Sequence, residues 1–407
     1  MCFDFNCATL KHRIIYDKEE TIMEQFIYHI PTKIYFGKGQ IEHLADALKP
    51  YGNKVLLVYG SGSIKKNGIY DRVTDILKEN GFTYEELSGV EPNPRITTVR
   101  KGVQICKQKG IEVVLPIGGG STIDCAKVVA AGACYDGDPW DIVQDASCVT
   151  KVLPIVTILT LSATGSEMDT FAVISDMDAN DKLGTGHPLM RPMASILDPS
   201  YTETVSAYQT AAGTADIMSH IFEAYFSNVQ GYMQDRMAEG LLKTCIHYGA
   251  YAVKHPDDYE ARANLMWASS WAINDFLKLG KVVEWTVHPM EHELSAYYDI
   301  THGVGLAILT PHWMRYVLND NTVKKFREYG INVWGISSDL DDYEIANKAI
   351  DQTAAYFKEM GLPSTLTEVG IGTEKLDIMA QKAASALEHA YMPLNAEQVK
   401  EIYMAAL

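Results

Sequence analysis

From about residue 31 to 200, short β-branched apolar runs alternate with longer stretches whose apolar residues recur every three or four positions. Runs that are apolar throughout bury both faces of a strand, so the pattern predicts a parallel sheet covered by helices on either side. KVLLVYG (Lys54 to Gly60), FTYEEL (Phe82 to Leu87), EVVLPI (Glu112 to Ile117) and LPIVTI (Leu153 to Ile158) read as strands. GIYDRVTDILKENG (Gly68 to Gly81) and ITTVRKGVQICKQKG (Ile96 to Gly110) read as helices, each ending on a glycine. After LDPS (Leu197 to Ser200) the strand signal nearly disappears, and helical patterns rich in Ala, Met and Leu run to the C-terminus. Two domains are expected, an α/β domain over residues 23–200 and an all-α domain over 201–407. Residues 1–22 follow neither period and read as a leader upstream of a natural start at Met23.

Composition narrows the possible partners. Of 407 residues, 47% are hydrophobic, enough for sizeable cores, while a formal net charge of -17 repels a phosphate backbone, so nucleic acid is not an expected partner. No run of 18 apolar residues exists, and the first 23 residues carry seven charges without a secretion signal's apolar core. A soluble, cytoplasmic protein without a membrane partner is expected. The seven cysteines are scattered, with no C-x-x-C pair, and read as reduced.

Three turns carry candidate chemistry. GGGSTIDCAK (Gly118 to Lys127) follows a strand and opens a helix, so Gly118, Gly119, Gly120 and Ser121 let backbone approach an anion at a helix N-terminus, as a dinucleotide pyrophosphate requires. Asp124, one turn in, can hold the loop or meet a cofactor hydroxyl. An ordinary tight turn uses the same glycines. YGSGSIKKNG (Tyr59 to Gly68) lacks the carboxylate that grips a ribose 2′-hydroxyl and offers Gly60, Ser61, Gly62 and Ser63, followed by Lys65 and Lys66, which favours the 2′-phosphate of NADP(H). In TLSATGSE, Thr160, Ser162 and Ser166 crowd hydroxyls at a strand end, where a nicotinamide ring can lie. These turns make the α/β domain Rossmann-like.

The strongest signal is a concentration of metal-ligating types. Asp216 and His220 in GTADIMSHIFEAY are four apart and share a helix face. HPMEHELSAYYDITHG then supplies His288, His292 and His302 within 15 residues of a chain holding 12 histidines. A catalytic metal takes three or four such ligands and keeps one position open, which Asp216, His220 and two of the three later histidines satisfy. Spacing alone leaves open which two.

The order GGGSTID, LSATGSE, GTADIMSHIFE, HPMEHELSAYYDITHG resembles the iron-containing (group III) alcohol dehydrogenases from about residue 24 to the C-terminus, nearest their NADPH-dependent butanol dehydrogenases and broad-range aldehyde reductases, which share YGSGS-I-K-K and EPNPR (Glu91 to Arg95). The resemblance implies Asp216, His220, His288 and His302 as ligands of Fe2+ or Zn2+, with His292 beside them as a candidate proton relay. It also implies a cleft between a dinucleotide-binding and a helical metal-binding domain, a small aldehyde or alcohol as substrate, and usually a homodimer. TLSATGSE departs from the family's commoner Thr-rich form.

Glycerol dehydrogenase is a neighbouring alternative. A lyase related to dehydroquinate synthase, which shares the two-domain plan, needs several cations for a phosphorylated substrate, and residues 282–302 hold no Lys or Arg. A non-catalytic metal-binding protein would explain the histidines but not the glycine turns.

Overall fold

A computed structural model describes residues 23–407. The proposed leader lies outside the described residues. Eight strands form, β1 (Lys33–Phe36), β2 (Lys54–Tyr59), β3 (Thr83–Ser88), β4 (Val113–Gly118), β5 (Val156–Leu159), β6 (Phe171–Asp176), β7 (Asp181–Gly186) and β8 (Ala194–Leu197). Among them run helices α1 (Leu44–Leu48), α2 (Ser63–Lys66), α3 (Ile69–Glu79), α4 (Ile96–Lys109), α5 (Gly120–Gly132) and α6 (Pro139–Gln144). The rest is helical: α7 (Ala207–Tyr225), α8 (Tyr232–Lys254), α9 (Tyr259–Ile273), α10 (Val287–Tyr298), α11 (His302–Val317), α12 (Val323–Asn332), α13 (Asp342–Glu359), α14 (Leu376–Ala384) and α15 (Ala396–Ala405).

Six strands form one parallel sheet in the order β1-β8-β5-β4-β2-β3. Alternation along its strands feeds two cores. Leu56, Val58 and Val114 meet Val99 and Val103 of α4 and Val129 of α5. Val55, Leu57, Leu115 and Ile117 face Leu44 and Leu48 of α1 and Val73 and Leu77 of α3. Each such aliphatic side chain contributes about 1.5–3 kcal/mol when fully buried. Adjacent strands β2 and β4 lead to β3 and β5 on opposite sides, so a crevice opens at their carboxyl ends.

The four strands read from the sequence are β2 to β5, displaced by up to three residues at their ends. β6 and β7 depart from the parallel pattern expected over residues 31–200: they form a separate antiparallel hairpin. Its burial is mixed and two glycines interrupt β7, which leaves little periodic signal. No strand follows Leu197 among the described residues. The helical half packs Ile217, Phe222 and Tyr225 of α7 against Leu309 and Trp313 of α11 and residues of α12, α13 and α15 in one apolar core. No helix of the described residues is long and apolar enough to cross a membrane.

Candidate active site

The three glycine- or hydroxyl-bearing turns end β2, β4 and β5, and all open into one cleft of about 1220 Å³ whose far wall is α7, α10, α11 and α14. Gly60, Ser63, Gly118, Gly119, Gly120, Ser121, Asp124 and Thr160 line it. α5 starts at Gly120 with no side-chain cap, which leaves its first amides turned to the cleft. A Cβ on Gly119 would lie 3.1 Å from Leu161 Cβ, so bare backbone forms this wall.

Four expected cofactor residues stand elsewhere. Gly62, Lys65, Ser162 and Ser166 do not line the cleft. The Ser166 hydroxyl is buried and donates to Asp124 Oδ1 at 2.6 Å, while Lys127 Nζ donates to Ser166 Oγ at 2.8 Å and also binds Asp169 and the Phe171 carbonyl. Asp124 Oδ2 accepts from the Val173 amide at 2.9 Å. Both Asp124 oxygens therefore tie α5 to the turn before β6 and to β6, and burial pushes its carboxyl up to about 6. Lys65 is drawn to Glu86, 3.8 Å away, and lies over the Tyr59 and Tyr70 rings, whose hydroxyls both donate to Glu86.

The carboxylate and imidazoles converge across the cleft. Asp216 and His220 sit one turn apart on α7, His288 and His292 on α10, and His302 opens α11. From Asp216 Oδ1, the Nε2 atoms of His220, His288 and His302 lie 3.6, 3.9 and 3.8 Å away. Ligands about 2.0–2.2 Å from one ion in a tetrahedron stand roughly 3.3 Å or slightly more apart. Asp216 Oδ1 and His288 Nε2 are buried with no hydrogen-bond partner, a costly condition that a cation would relieve. Burial holds His220 down to about 3 and depresses His302, so both keep a lone pair at neutral pH. The donor set fits a divalent ion of the iron or zinc type. His292 also lines the cleft, its ring centroid 5.6 Å from that of His302, and burial, with Lys182 and His302 nearby, holds it well below the ordinary histidine range.

Two carboxylates that sequence reasoning missed stand behind these rings. Glu223 Oε1 accepts from His288 Nδ1 at 3.0 Å, and its two oxygens also accept the amides of Thr286, Val287 and His288. Glu291 accepts from His302 Nδ1. Each is three residues beyond a histidine, His220 and His288, a helical spacing that could have flagged them. Lys182 and Lys382 also line the cleft, from distant parts of the chain, so the lack of cations in residues 282–302 did not describe the site. The EPNPR loop spans the two halves: Asn93 Nδ2 donates to Asp299 Oδ1 at 3.0 Å, and Arg95 pairs with Asp299 Oδ2 at 2.7 Å.

A parallel sheet presenting glycine turns at its carboxyl ends, facing a helical half that presents one carboxylate and three imidazoles, is the construction of a two-domain dehydrogenase. Residues 31–199 match the iron-containing alcohol dehydrogenases, and residues 210–407 match the C-terminal part of the same family. The chain belongs to the iron-containing alcohol dehydrogenase family. It is 63% identical over 385 residues to NADH-dependent butanol dehydrogenase A of Clostridium acetobutylicum, covering 94% of this chain and 99% of that protein. It is 37% identical to the NADPH-dependent aldehyde reductase YqhD of Escherichia coli, over 88% of this chain and 93% of that one. The crystal structure of NADH-dependent butanol dehydrogenase A from Thermotoga maritima superimposes with a TM-score of 0.90 at 40% identity, covering 95% and 99% of the two chains.

Proposed function

We propose that this protein is a metal-dependent alcohol dehydrogenase and aldehyde reductase acting on small primary alcohols and aldehydes of the butanol and butyraldehyde type. The carrying observation is that the Asp216, His220, His288 and His302 donor atoms meet in the cleft onto which the Gly118–Ser121 turn opens. The butanol dehydrogenase and aldehyde reductase relatives support the same reaction. A divalent cation, Fe2+ or Zn2+, supplies polarisation of the aldehyde oxygen when bound, and a reduced nicotinamide supplies the hydride.

The residues divide the remaining work. Backbone amides at Gly120 and Ser121 hold the pyrophosphate, and the bare Gly118 and Gly119 let it approach. Asp216, His220, His288 and His302 hold the cation. His292 is our candidate for passing a proton to the substrate oxygen. Trp285 stands edge-on to His288 with centroids 4.6 Å apart and gives the substrate pocket an apolar wall.

The missing carboxylate at the Gly60–Ser63 turn favours NADP(H), but Lys65, one of the two lysines expected to meet a 2′-phosphate, lies outside the cleft and 3.8 Å from Glu86. Together with the NADH-dependent names of two relatives at 63% and 62% identity, this leads us to propose NADH as the preferred donor. Comparing kcat/KM for NADH and NADPH tests the choice, and a ratio favouring NADPH reverses it. We also propose a homodimer. The arm before β1 leaves Ile27 96% exposed and Phe26 49% exposed, and β1 itself is an edge strand of the sheet, features suited to contact with a second copy. Light scattering at one chain mass would refute the dimer.

A further inference from the structure

The imidazoles His288 and His302 are oriented in the same way but by carboxylates of very different dependence. Glu223, behind His288, is held within the helical half: it takes three backbone amides at the start of α10, besides the ring nitrogen. Glu291, behind His302, is fully buried on α10 and accepts from Ser295 Oγ and from His302 Nδ1. Its cation comes from the other half of the molecule. Lys182, on β7 of the hairpin, places Nζ 3.2 Å from Glu291 Oε2, with 4% and 0% of the two side chains exposed. Nζ also lies 3.3 Å from His302 Nδ1, but both nitrogens bear hydrogens in this arrangement, so both donate to the carboxylate between them. The hairpin is tied down a second time where Lys382 of α14 binds Asp181 Oδ1 at 2.7 Å and the Asn180 carbonyl at 2.8 Å.

We propose that Lys182 and Glu291 are positioning residues for His302: the lysine pins the carboxylate, the carboxylate holds the Nδ1–H, and Nε2 is thereby aimed at Asp216. The inference rests on the reading of Asp216, His220, His288 and His302 as a cation site. An outer carboxylate that orients a ligating imidazole typically changes metal affinity 10–100-fold. What this fold adds is that the outer group is secured by the sheet-bearing half. Metal binding and seating of the β6–β7 hairpin on α10 are then linked, and by reciprocity the bound ion favours the seated hairpin. His288, secured by Glu223 alone, lacks this dependence.

The test is Co2+ and Zn2+ affinity of chelator-stripped full-length protein, by competition with a chromophoric chelator, for wild type, Lys182→Met, Glu291→Gln and the double variant. Lys182→Met is expected to lose 10–100-fold. Glu291→Gln, whose amide oxygen still accepts from Nδ1–H, should lose less, and the double variant should lose no more than Lys182→Met alone. Hydrogen exchange of residues 171–186 should slow on adding metal to wild type and not to Lys182→Met. The double variant removes both buried charges together, which guards against misfolding from one left unpaired. Melting in chelator and circular dichroism report the fold separately. If Lys182→Met lowers the melting temperature but keeps wild-type metal affinity and metal-induced protection, the pair is merely structural and the proposal is overturned. If wild type binds no metal, or Asp216→Asn binds as tightly as wild type, the cation-site reading itself fails.

Discussion

Replacing Gly303 with alanine tests how the proposed cation site is held together. Gly303 is the second residue of α11, directly after His302, and α11 crosses α7 there so closely that an added Cβ would lie 2.7 Å from Ala212 C and 3.2 Å from Ala212 Cα, with the Ala212 carbonyl oxygen nearer still. These are backbone atoms in the buried part of α7 and cannot swing aside. Restoring ordinary carbon contacts of about 3.5 Å needs the helices to part by roughly 1 Å. His302 Nε2 already stands 3.8 Å from Asp216 Oδ1, and metal sites tolerate errors of only about 0.2 Å in ligand distance, so such a parting takes His302 out of reach. Overpacking of this kind costs about 1–3 kcal/mol of stability, more where backbone meets backbone. The expected result is a lower melting temperature in chelator together with at least a tenfold loss of Zn2+ affinity. Gly240→Ala is the control, because nothing lies within 4 Å of its added Cβ and alanine favours a helix by up to about 1 kcal/mol. Wild-type affinity and stability in Gly303→Ala would show that the α7–α11 approach does not set the site.

Gly119→Val should weaken NADH binding at least tenfold by filling the wall beside Leu161, with metal content unchanged; calorimetry against NADH and metal analysis check the two halves of that statement. Glu167 is fully buried, its Oε1 accepting from Ser270 and its Oε2 without a partner, and burial pushes its carboxyl up to about 7. A carboxyl raised on folding binds its proton more tightly in the folded state, so this group costs stability as pH rises through about 4.5 to 7, by about 3 kcal/mol above that window. Glu167→Gln should therefore raise the melting temperature by a few degrees at pH 8 and change little at pH 4; an equal shift at both would remove the charge argument. Lys65→Ala should leave kcat/KM for NADH within about threefold of wild type, since Lys65 faces Glu86 outside the cleft.

What the sequence shows of this architecture follows physical periodicity. Strands β2 to β5 and helices α3 and α4 are legible because burial on one or two faces imprints a regular pattern, and the glycine turns because backbone approach excludes side chains. Asp216 and His220 share a helix face and so announce themselves, whereas the convergence of His302 with them depends on the α7–α11 crossing, which no local pattern encodes. The β6–β7 hairpin escaped because its pairing is antiparallel and its β7 strand carries two glycines. Lys182 escaped with it, since a single lysine in a weak strand gives no sign that it will be buried against Glu291. Ser166 looked like a cofactor contact because its hydroxyl lies near a strand end, but the buried Lys127 and Asp124 on α5 claim it.

The most direct test of the central claim is the loss of NADH absorbance when butyraldehyde is added to metal-stripped protein, before and after loading with Fe2+ or Zn2+, beside the His288→Ala variant. Oxidation of NADH that appears only with metal and is lost in the variant is the predicted result. Turnover that persists in stripped protein or in His288→Ala, or no turnover with any small aldehyde despite tight binding of metal and NADH, would contradict it.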